Sequence, residues 1–264
     1  MKIKPNVYSL TENTYLLYET HTKKTNSMKG IISIGMKLWV VRIFLILLIV
    51  IVLPLYSAVA QQPQNKHLVI IDPAHGGTDF GVKISDKEYE KKLTLAISLL
   101  IKKELDKSGN IRIQLTRSSD EDVSLSEKKK KIVALKSELI VSIHVNAGFG
   151  KNSTGYELYF PGFKTASAEK SDSKEILKDM ARNKYLNESV RLAQLIQKNM
   201  DSVFPKKSRG LRDAPIAILE GLSLPAVIVE IGFATNPEDR KKIVDGNIQN
   251  EIALALSKSI KDYF

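Results

Sequence analysis

The sequence predicts an α/β fold, namely a single domain with a mostly parallel, twisted sheet flanked by helices on both faces. From residue 67 onward, short β-branched or apolar runs alternate with segments of helical periodicity. Several of these runs are apolar at almost every position, which is typical of strands buried on both faces of a parallel sheet. The length of 264 residues is enough for one sizeable domain of this class.

Six runs are predicted as strands and four segments as helices. Because the two alternate along the chain, we expect parallel strands connected by helices. Functional side chains in such sheets collect at the carboxyl ends of the strands. The predicted strands are 68–71, 111–115, 139–143, 156–160, 216–219 and 226–229, and the predicted helices are 88–108, 126–136, 173–202 and 246–264.

Composition narrows the possible partners and the type of metal site. The formal net charge is +11, but residues 1–60 hold seven basic and only two acidic side chains, so the remainder is less basic. A modest positive excess suits a polyanion such as the cell wall, a membrane surface or nucleic acid. The few aromatic residues do not cluster with basic ones, which argues against nucleic-acid binding. Cysteine is absent, so any metal must be held by His and carboxylate.

The first 60 residues are predicted to be a leader that contains a signal peptide. An unbroken apolar core at 43–53 follows Lys37 and Arg42, and Ala58-Val59-Ala60 has the small-residue pattern of a cleavage site after Ala60. We therefore expect export to the periplasm or cell wall, with 61–66 as a linker and 67–264 as the main folded domain. The alternative is an uncleaved N-terminal anchor, which would then be the only part of the chain expected to contact a membrane. The long stretch before the core suggests that translation starts at Met28 or Met36.

Three predicted strand ends bring side chains with catalytic potential to one sheet edge. His75 follows the first strand beside Gly76 and Gly77, His144 ends the third, and Glu230 ends the last. Zinc in hydrolases takes three nitrogen or oxygen ligands plus water, and a nearby carboxylate accepts a proton from that water. An acidic residue at the start of the first helix is a candidate third ligand. Helical periodicity leaves Glu88 and Glu90 both open.

Each of these residues also has a purely structural interpretation. A single His at a strand end is usually a hydrogen-bonded structural residue. A buried Glu230 could simply pair with Arg117, Arg209 or Arg212. The coincidence of two His and one Glu at three predicted carboxyl ends favours a metal-dependent site over these alternatives.

The chain resembles the zinc-dependent N-acetylmuramoyl-L-alanine amidases, in the catalytic-domain type of division and spore-cortex amidases. The similarity extends over nearly all of His67 to Phe264. Its motifs are Ile71-Asp72-Pro73-Ala74-His75-Gly76-Gly77, Glu90-Lys91-Lys92-Leu93-Thr94-Leu95, Leu115-Thr116-Arg117, Ser142-Ile143-His144-Val145-Asn146-Ala147, Arg209-Gly210-Leu211, and Pro225 to Phe233 followed by Asn236-Pro237.

The resemblance implies specific roles for the site residues. His75, Glu90 and His144 would bind Zn²⁺ and Glu230 would be the catalytic carboxylate, which favours Glu90 over Glu88. The implied reaction cleaves the amide bond between N-acetylmuramic acid and L-alanine in peptidoglycan, in cell-wall turnover or daughter-cell separation. Alternatives are a zinc peptidase or deacetylase acting on another cell-wall amide, and an inert wall-binding module.

Two charged segments carry further expectations. Lys164 to Leu186 is rich in Lys, Glu, Asp and Ser and is a possible regulatory insertion. In related division amidases a helix near this place covers the zinc site, so Ser173 to Tyr185 could be a lid that a protein activator displaces, with Glu169 or Glu175 reaching the metal. An ordinary surface insertion is the alternative. The run Glu127 to Lys131 is predicted to be a solvated helix face.

Overall fold

The helices and strands of the computed structural model follow the alternation expected from the sequence. It describes residues 36–50, 66–161, 173–214, 217–219 and 222–264. In chain order the elements are α1 (36–50), β1 (His67–Pro73), α2 (Glu90–Leu105) with a 3₁₀ turn (Asp106–Ser108), β2 (Ile111–Leu115), α3 (Leu125–Leu135), β3 (Leu139–Asn146), β4 (Tyr156–Pro161), α4 (Ser173–Met200), β5 (Ser208–Ala214), β6 (Ala226–Phe233), α5 (Pro237–Ile243) and α6 (Gly246–Tyr263).

The chain divides into two units, Met1–Gln64 and Asn65–Phe264. Of the first unit the structure describes only α1, whose residues are exposed and which includes part of the predicted apolar core. The predicted cleavage site after Ala60 lies outside the described residues, so the signal peptide stays a prediction. Within the described ranges, no helix has the length and apolarity needed to cross a bilayer.

The second unit contains a six-stranded sheet of order β2-β1-β3-β6-β4-β5. The first four strands in this order are parallel to one another. β4 runs antiparallel to β6 and parallel to β5, so these two strands are reversed relative to the other four. The prediction of a mostly parallel sheet flanked by helices is confirmed, with a reversed pair at one edge.

The two faces of the sheet are covered unequally. α2, α4 and α6 bury one face through a large apolar cluster that includes Val141, Val229 and Ile97. On the other face a smaller cluster joins Ile140 and Ile228 to Ile132 of α3. Since side chains alternate between faces along a strand, His144 and Glu230 belong to this second, less covered face.

Some of the elements differ from those expected. The predicted strand 216–219 is wrong, because Ala217–Leu219 form a turn. Ile218 and Leu219 are apolar because they cover the second face of the sheet. β5 was not predicted, since its sequence Ser208–Ala214 is mostly polar and none of its residues is buried, as in many edge strands. α5 was also not predicted, although Asn236 caps it and a proline begins it.

The predicted insertion is described only in part. Residues 162–172, with Glu169, lie outside the described residues, and so does the side chain of Glu175. The segment from Ser173 onward is the first part of the 28-residue helix α4. The regulatory hypothesis for 164–186 is therefore untested.

A buried ion pair attaches α3 to the sheet and corrects one expectation. Lys128 was predicted to lie on a solvated face, yet it is buried and its Nζ lies 2.9 Å from Oδ1 of Asp72. Asp72 also accepts hydrogen bonds from the hydroxyls of Thr116 and Ser142. Burial opposes ionisation of Asp72, but Lys128 and these hydroxyls outweigh it and lower the pKa of this carboxyl. Lys128 is therefore a structural residue.

Replacing Lys128 should destabilise the domain far more than replacing its exposed neighbour Lys130. Lys128→Gln leaves the Asp72 carboxylate buried without its counter-charge, and we expect a loss of about 3 kcal/mol in the free energy of unfolding. Lys130→Gln should change it by less than about 0.5 kcal/mol. Urea denaturation of the two variants measures both values. Equal stabilities would contradict a structural role for Lys128.

Candidate metal centre and catalytic carboxylate

The three strand ends singled out in the sequence lie side by side. β1, β3 and β6 are consecutive strands of the sheet, so the loop after β1 and the ends of β3 and β6 share one edge. His144 and Glu230 are direct partners in the β3–β6 pairing. Glu90, the first residue of α2, reaches the same edge and is almost completely buried.

The carboxylate of Glu90 bridges the two imidazoles. Nε2 of His75 lies 3.1 Å from one carboxylate oxygen, and Nδ1 of His144 lies 3.3 Å from the other. The imidazole rings meet edge to face with centroids 5.6 Å apart. One ligand atom from each of the three side chains lies within 4.8 Å of the others. Glu88, the alternative to Glu90, is not part of this cluster.

Backbone amides fix the orientation of the Glu90 carboxylate. The N–H of Val82 donates to Oε2 and the N–H of Val145 donates to Oε1, both at 2.9 Å. These donors come from the loop before α2 and from β3. The position of Glu90 at the start of a helix is also electrostatically favourable for a carboxylate. Glu90 is therefore held as an anion by the fold itself.

The loop after β1 has the geometry of a preorganised site. His75 has a left-handed backbone with φ of 61°, which is uncommon for a residue other than glycine and is often found at functional sites. Asp79, which was not singled out in the sequence, lies 2.8 Å from Nδ1 of His75. A contact of this kind fixes the imidazole ring and leaves Nε2 directed at Glu90.

Gly81 allows the loop to pass close to the ligands. A Cβ at this position would lie 2.6 Å from both Oε2 of Glu90 and Cδ2 of His75, and the backbone φ of +64° is also left-handed. Only glycine combines this conformation with the available space. Asp79 and Gly81 follow His75 closely in the sequence. Nothing in the sequence alone distinguishes them from ordinary turn residues.

Arg117 supports the same loop and is not a partner of Glu230. Its guanidinium donates to the backbone carbonyls of Pro73, Ala74 and Lys91. The hydroxyl of Thr94 donates to the carbonyl of Ala74 as well. The short segment between β1 and His75 is therefore connected to α2 through a buried network.

The ligand cluster is strongly coupled electrostatically. The hydrogen bond with Glu90 raises the pKa of His75 to about 9, although burial opposes this rise and Asp79 assists it. Burial acts to raise the pKa of Glu90, but hydrogen bonds from His144 and His75 prevail and lower it to about 2. The cluster is thus a buried anion between two imidazoles, which is a favourable environment for a cation.

The donor set fits a divalent transition metal. Two imidazoles and one carboxylate, with no thiolate, match the three-protein-ligand sets of catalytic zinc. Nε2 of His75 and Nδ1 of His144 face Glu90, and Asp79 contacts the other nitrogen of His75. Both imidazoles are partly exposed, so an ion has access to these two nitrogens. The arrangement His75, Glu90 and His144 could therefore hold a metal ion.

Glu230 differs from Glu90 in having an unpaired oxygen. Among the described residues, its buried Oε2 atom has no hydrogen-bond partner. Burial raises the pKa of Glu230 to about 7; His144 opposes this rise, whereas Glu90 and Glu157 add to it. The sequence allowed Arg209 and Arg212 as partners of Glu230, but both lie against the carboxylate of Glu157. Glu230 is thus available for proton transfer.

Glu157 lies in the candidate site, and the sequence interpretation missed it. It is the direct partner of Glu230 across the antiparallel β4–β6 pair and is buried. The amide of Asn146 and the hydroxyl of Tyr159 each donate to its Oε2 at 2.8 Å. A charged residue inside the alternating run 156–160 was the available signal, but its interpretation depended on knowing that β4 is reversed.

Replacing Asp79 should weaken metal binding without removing a ligand. In Asp79→Asn the imidazole of His75 loses its charged partner, and we expect about tenfold lower affinity for zinc. Asp86→Asn, a change in the same loop at an exposed carboxylate that pairs with Lys83, should have no effect. Competition with a chromophoric chelator measures both affinities. Identical affinities in the two variants would remove Asp79 from the site.

Comparison with known proteins supports the interpretation of this geometry. The family model described as N-acetylmuramoyl-L-alanine amidase (Amidase_3) matches residues 69–262. The chain is 30% identical to Bacillus subtilis YqiI over 208 residues, which cover 78% of this chain and 89% of YqiI. It is 23% identical to the N-acetylmuramoyl-L-alanine amidase AmiC of Escherichia coli O6:H1 over 219 residues, which cover 75% of this chain but only 52% of AmiC.

Among solved structures, the N-acetylmuramoyl-L-alanine amidase of Clostridium difficile 630 is similar at 28% identity with a TM-score of 0.64. The similarity covers 75% of this chain and 97% of that structure. Since the family model spans β1 to α6 and includes every residue of the candidate site, the chain belongs to the N-acetylmuramoyl-L-alanine amidase family.

Proposed function

We propose that this protein is a zinc-dependent hydrolase that cleaves the amide bond between N-acetylmuramic acid and L-alanine in peptidoglycan. The observation that supports this most directly is the convergence of His75, Glu90 and His144 beside a carboxylate, Glu230, with an unpaired buried oxygen. Family membership supports the choice of substrate. The proposal assigns the three clustered residues as ligands and Glu230 as the general base.

Each residue has a distinct task in the proposed reaction. Zinc, when bound, acts as a Lewis acid that polarises the substrate carbonyl and lowers the pKa of water. Oε2 of Glu230 accepts a proton from the attacking water and then delivers it to the amide nitrogen as the carbon–nitrogen bond breaks. The products are a carboxylic acid on the glycan and a free amine on the peptide. A pKa of about 7 suits a group that must both accept and return a proton.

The proposed place of action follows from the proposed substrate. Peptidoglycan lies outside the cytoplasm, and the leader-like sequence up to Ala60 fits export to the periplasm or cell wall. A zinc peptidase or deacetylase would use the same ligands and base, so the site alone does not separate these enzymes. The family membership favours the amidase.

Replacing Glu230 should separate metal binding from catalysis. Glu230→Gln is expected to retain zinc and to lose about 10²- to 10⁴-fold in turnover, because only the proton acceptor is removed. Glu238→Gln, at an exposed position in α5, is the matched control and should behave as wild type. Metal analysis and release of dyed peptidoglycan are measured on the same preparations. Wild-type turnover in Glu230→Gln would refute the assignment.

Product analysis should identify the bond that is cut. Digestion of purified peptidoglycan is expected to give a new free amine on L-alanine and glycan strands that keep an intact lactyl carboxylate. A deacetylase would release acetate, and a peptidase would expose amines of other residues. Mass spectrometry of the soluble products distinguishes the three, and a digest without new L-alanine amino termini would contradict the amidase.

A further inference from the structure

Two arginines of the reversed strand β5 lie against Glu157, next to the proposed catalytic carboxylate in the sheet. Nε of Arg209 donates to Oε1 of Glu157 at 2.6 Å, and a terminal nitrogen of Arg212 lies 3.4 Å from the same oxygen. Glu157 is the sheet partner of Glu230. Because β4 and β5 are reversed, the beginnings of these strands meet the end of β6 at one edge of the sheet.

A local departure from regular strand pairing brings Arg209 and Arg212 to the same carboxylate. Tyr156 pairs with Ser208 and Leu158 pairs with Leu211, so β5 has one extra residue between these pairs. Bulges are rare in parallel pairs and often redirect a side chain next to an active site. Gly210 has φ of +89°, a conformation that side-chain-bearing residues rarely adopt. The extra residue lets Arg209 and Arg212, three positions apart, both face Glu157, whereas a regular strand would direct them to opposite faces.

Two contacts hold the guanidinium of Arg209 in place. Besides the bond to Glu157, its Cζ lies 5.1 Å from the ring centroid of Phe233, three residues after Glu230. Glu157 is in turn fixed by Asn146 and Tyr159. The side chain of Arg209 is still 36% exposed, and that of Arg212 is 49% exposed. The arginines are therefore oriented yet accessible to a ligand.

A guanidinium of this kind is suited to a carboxylate. Its five N–H donors form a planar fork, and only Nε of Arg209 is used in the bond to Glu157. Charge-assisted bonds from such a fork to a carboxylate are stronger than neutral hydrogen bonds. Arg209 and Arg212 both face Glu157, so two guanidinium groups converge on this one carboxylate.

We infer that Arg209, positioned by Glu157, recognises a carboxylate of the stem peptide next to the bond that is cut, with Arg212 extending the same subsite. This inference rests on the proposed function and adds to it a preference for anionic substrates. Glu157 is then a positioning residue, and Arg209 is the residue that determines specificity.

The test uses two soluble muramyl peptides that differ only at the residue after L-alanine. One has a free carboxylate there and the other a neutral carboxamide. The metal-loaded full-length protein should prefer the carboxylate peptide by about 10- to 100-fold in kcat/KM. In Arg209→Met this preference should disappear, through a loss on the carboxylate peptide alone and mainly in KM. Arg209→Lys should restore part of it, since the charge remains but the fork is lost.

Arg191→Met is the matched control, because Arg191 also bonds a carboxylate, that of Glu188, and lies over an aromatic ring, that of Tyr263. It should keep the wild-type preference. Glu157→Gln should reduce the preference as Arg209→Met does, whereas a purely structural role would lower turnover of both peptides equally.

The outcomes separate this inference from the proposed function. Equal rates of the wild-type protein on the two peptides would overturn the role of Arg209 while leaving the amidase intact. Cleavage of neither peptide by the metal-loaded protein would overturn both. Thermal midpoints are measured for all variants. If Arg209→Met is unfolded, the inference is tested by the peptide preference of the wild-type protein and of Arg209→Lys.

Discussion

The candidate site depends on one buried carboxylate that faces two imidazoles. Glu90 is almost completely buried, and burial alone would favour its neutral form. Two backbone N–H groups and the two histidines reverse this tendency and hold it as an anion. Because these partners come from the loop between β1 and α2 and from the end of β3, both segments must be in place together with Glu90 at the start of α2. The candidate site is therefore complete only when these segments are packed together.

Strand pairing is irregular at two places in the candidate site, beside Glu230 and beside Arg209. In the β3–β6 pair, His144 is opposite Glu230 but Asn146 is opposite Phe233, so β6 has an extra residue directly after the carboxylate. A similar irregularity occurs in β5 beside Arg209. A regular ladder would direct Arg209 and Arg212, three positions apart, to opposite faces, whereas the extra residue in β5 lets both reach Glu157.

Much of the fold and two residues of the candidate metal site, His75 and His144, could be predicted from local sequence patterns. Apolar strands followed by polar residues indicated the sheet edge, and the motif around Glu90 distinguished it from Glu88 only through family resemblance. β5 could not be predicted, since its polar residues are stabilised by pairing with β4 rather than by burial. The turn 217–219 was mistaken for a strand because apolar residues that cover a sheet resemble those within one. The pairing of Glu157 with Glu230 depends on the direction of β4, which periodicity does not reveal.

The unequal covering of the sheet has a consequence for how this domain can change. Most of the large apolar side chains pack on the face beneath α2, α4 and α6, whereas His144, Glu230 and Glu157 lie on the opposite face. Free energy of folding and chemical selectivity therefore depend on largely separate sets of residues. Arg212 is half exposed and lies outside this packed layer, so a change of charge or size there is expected to leave the scaffold intact.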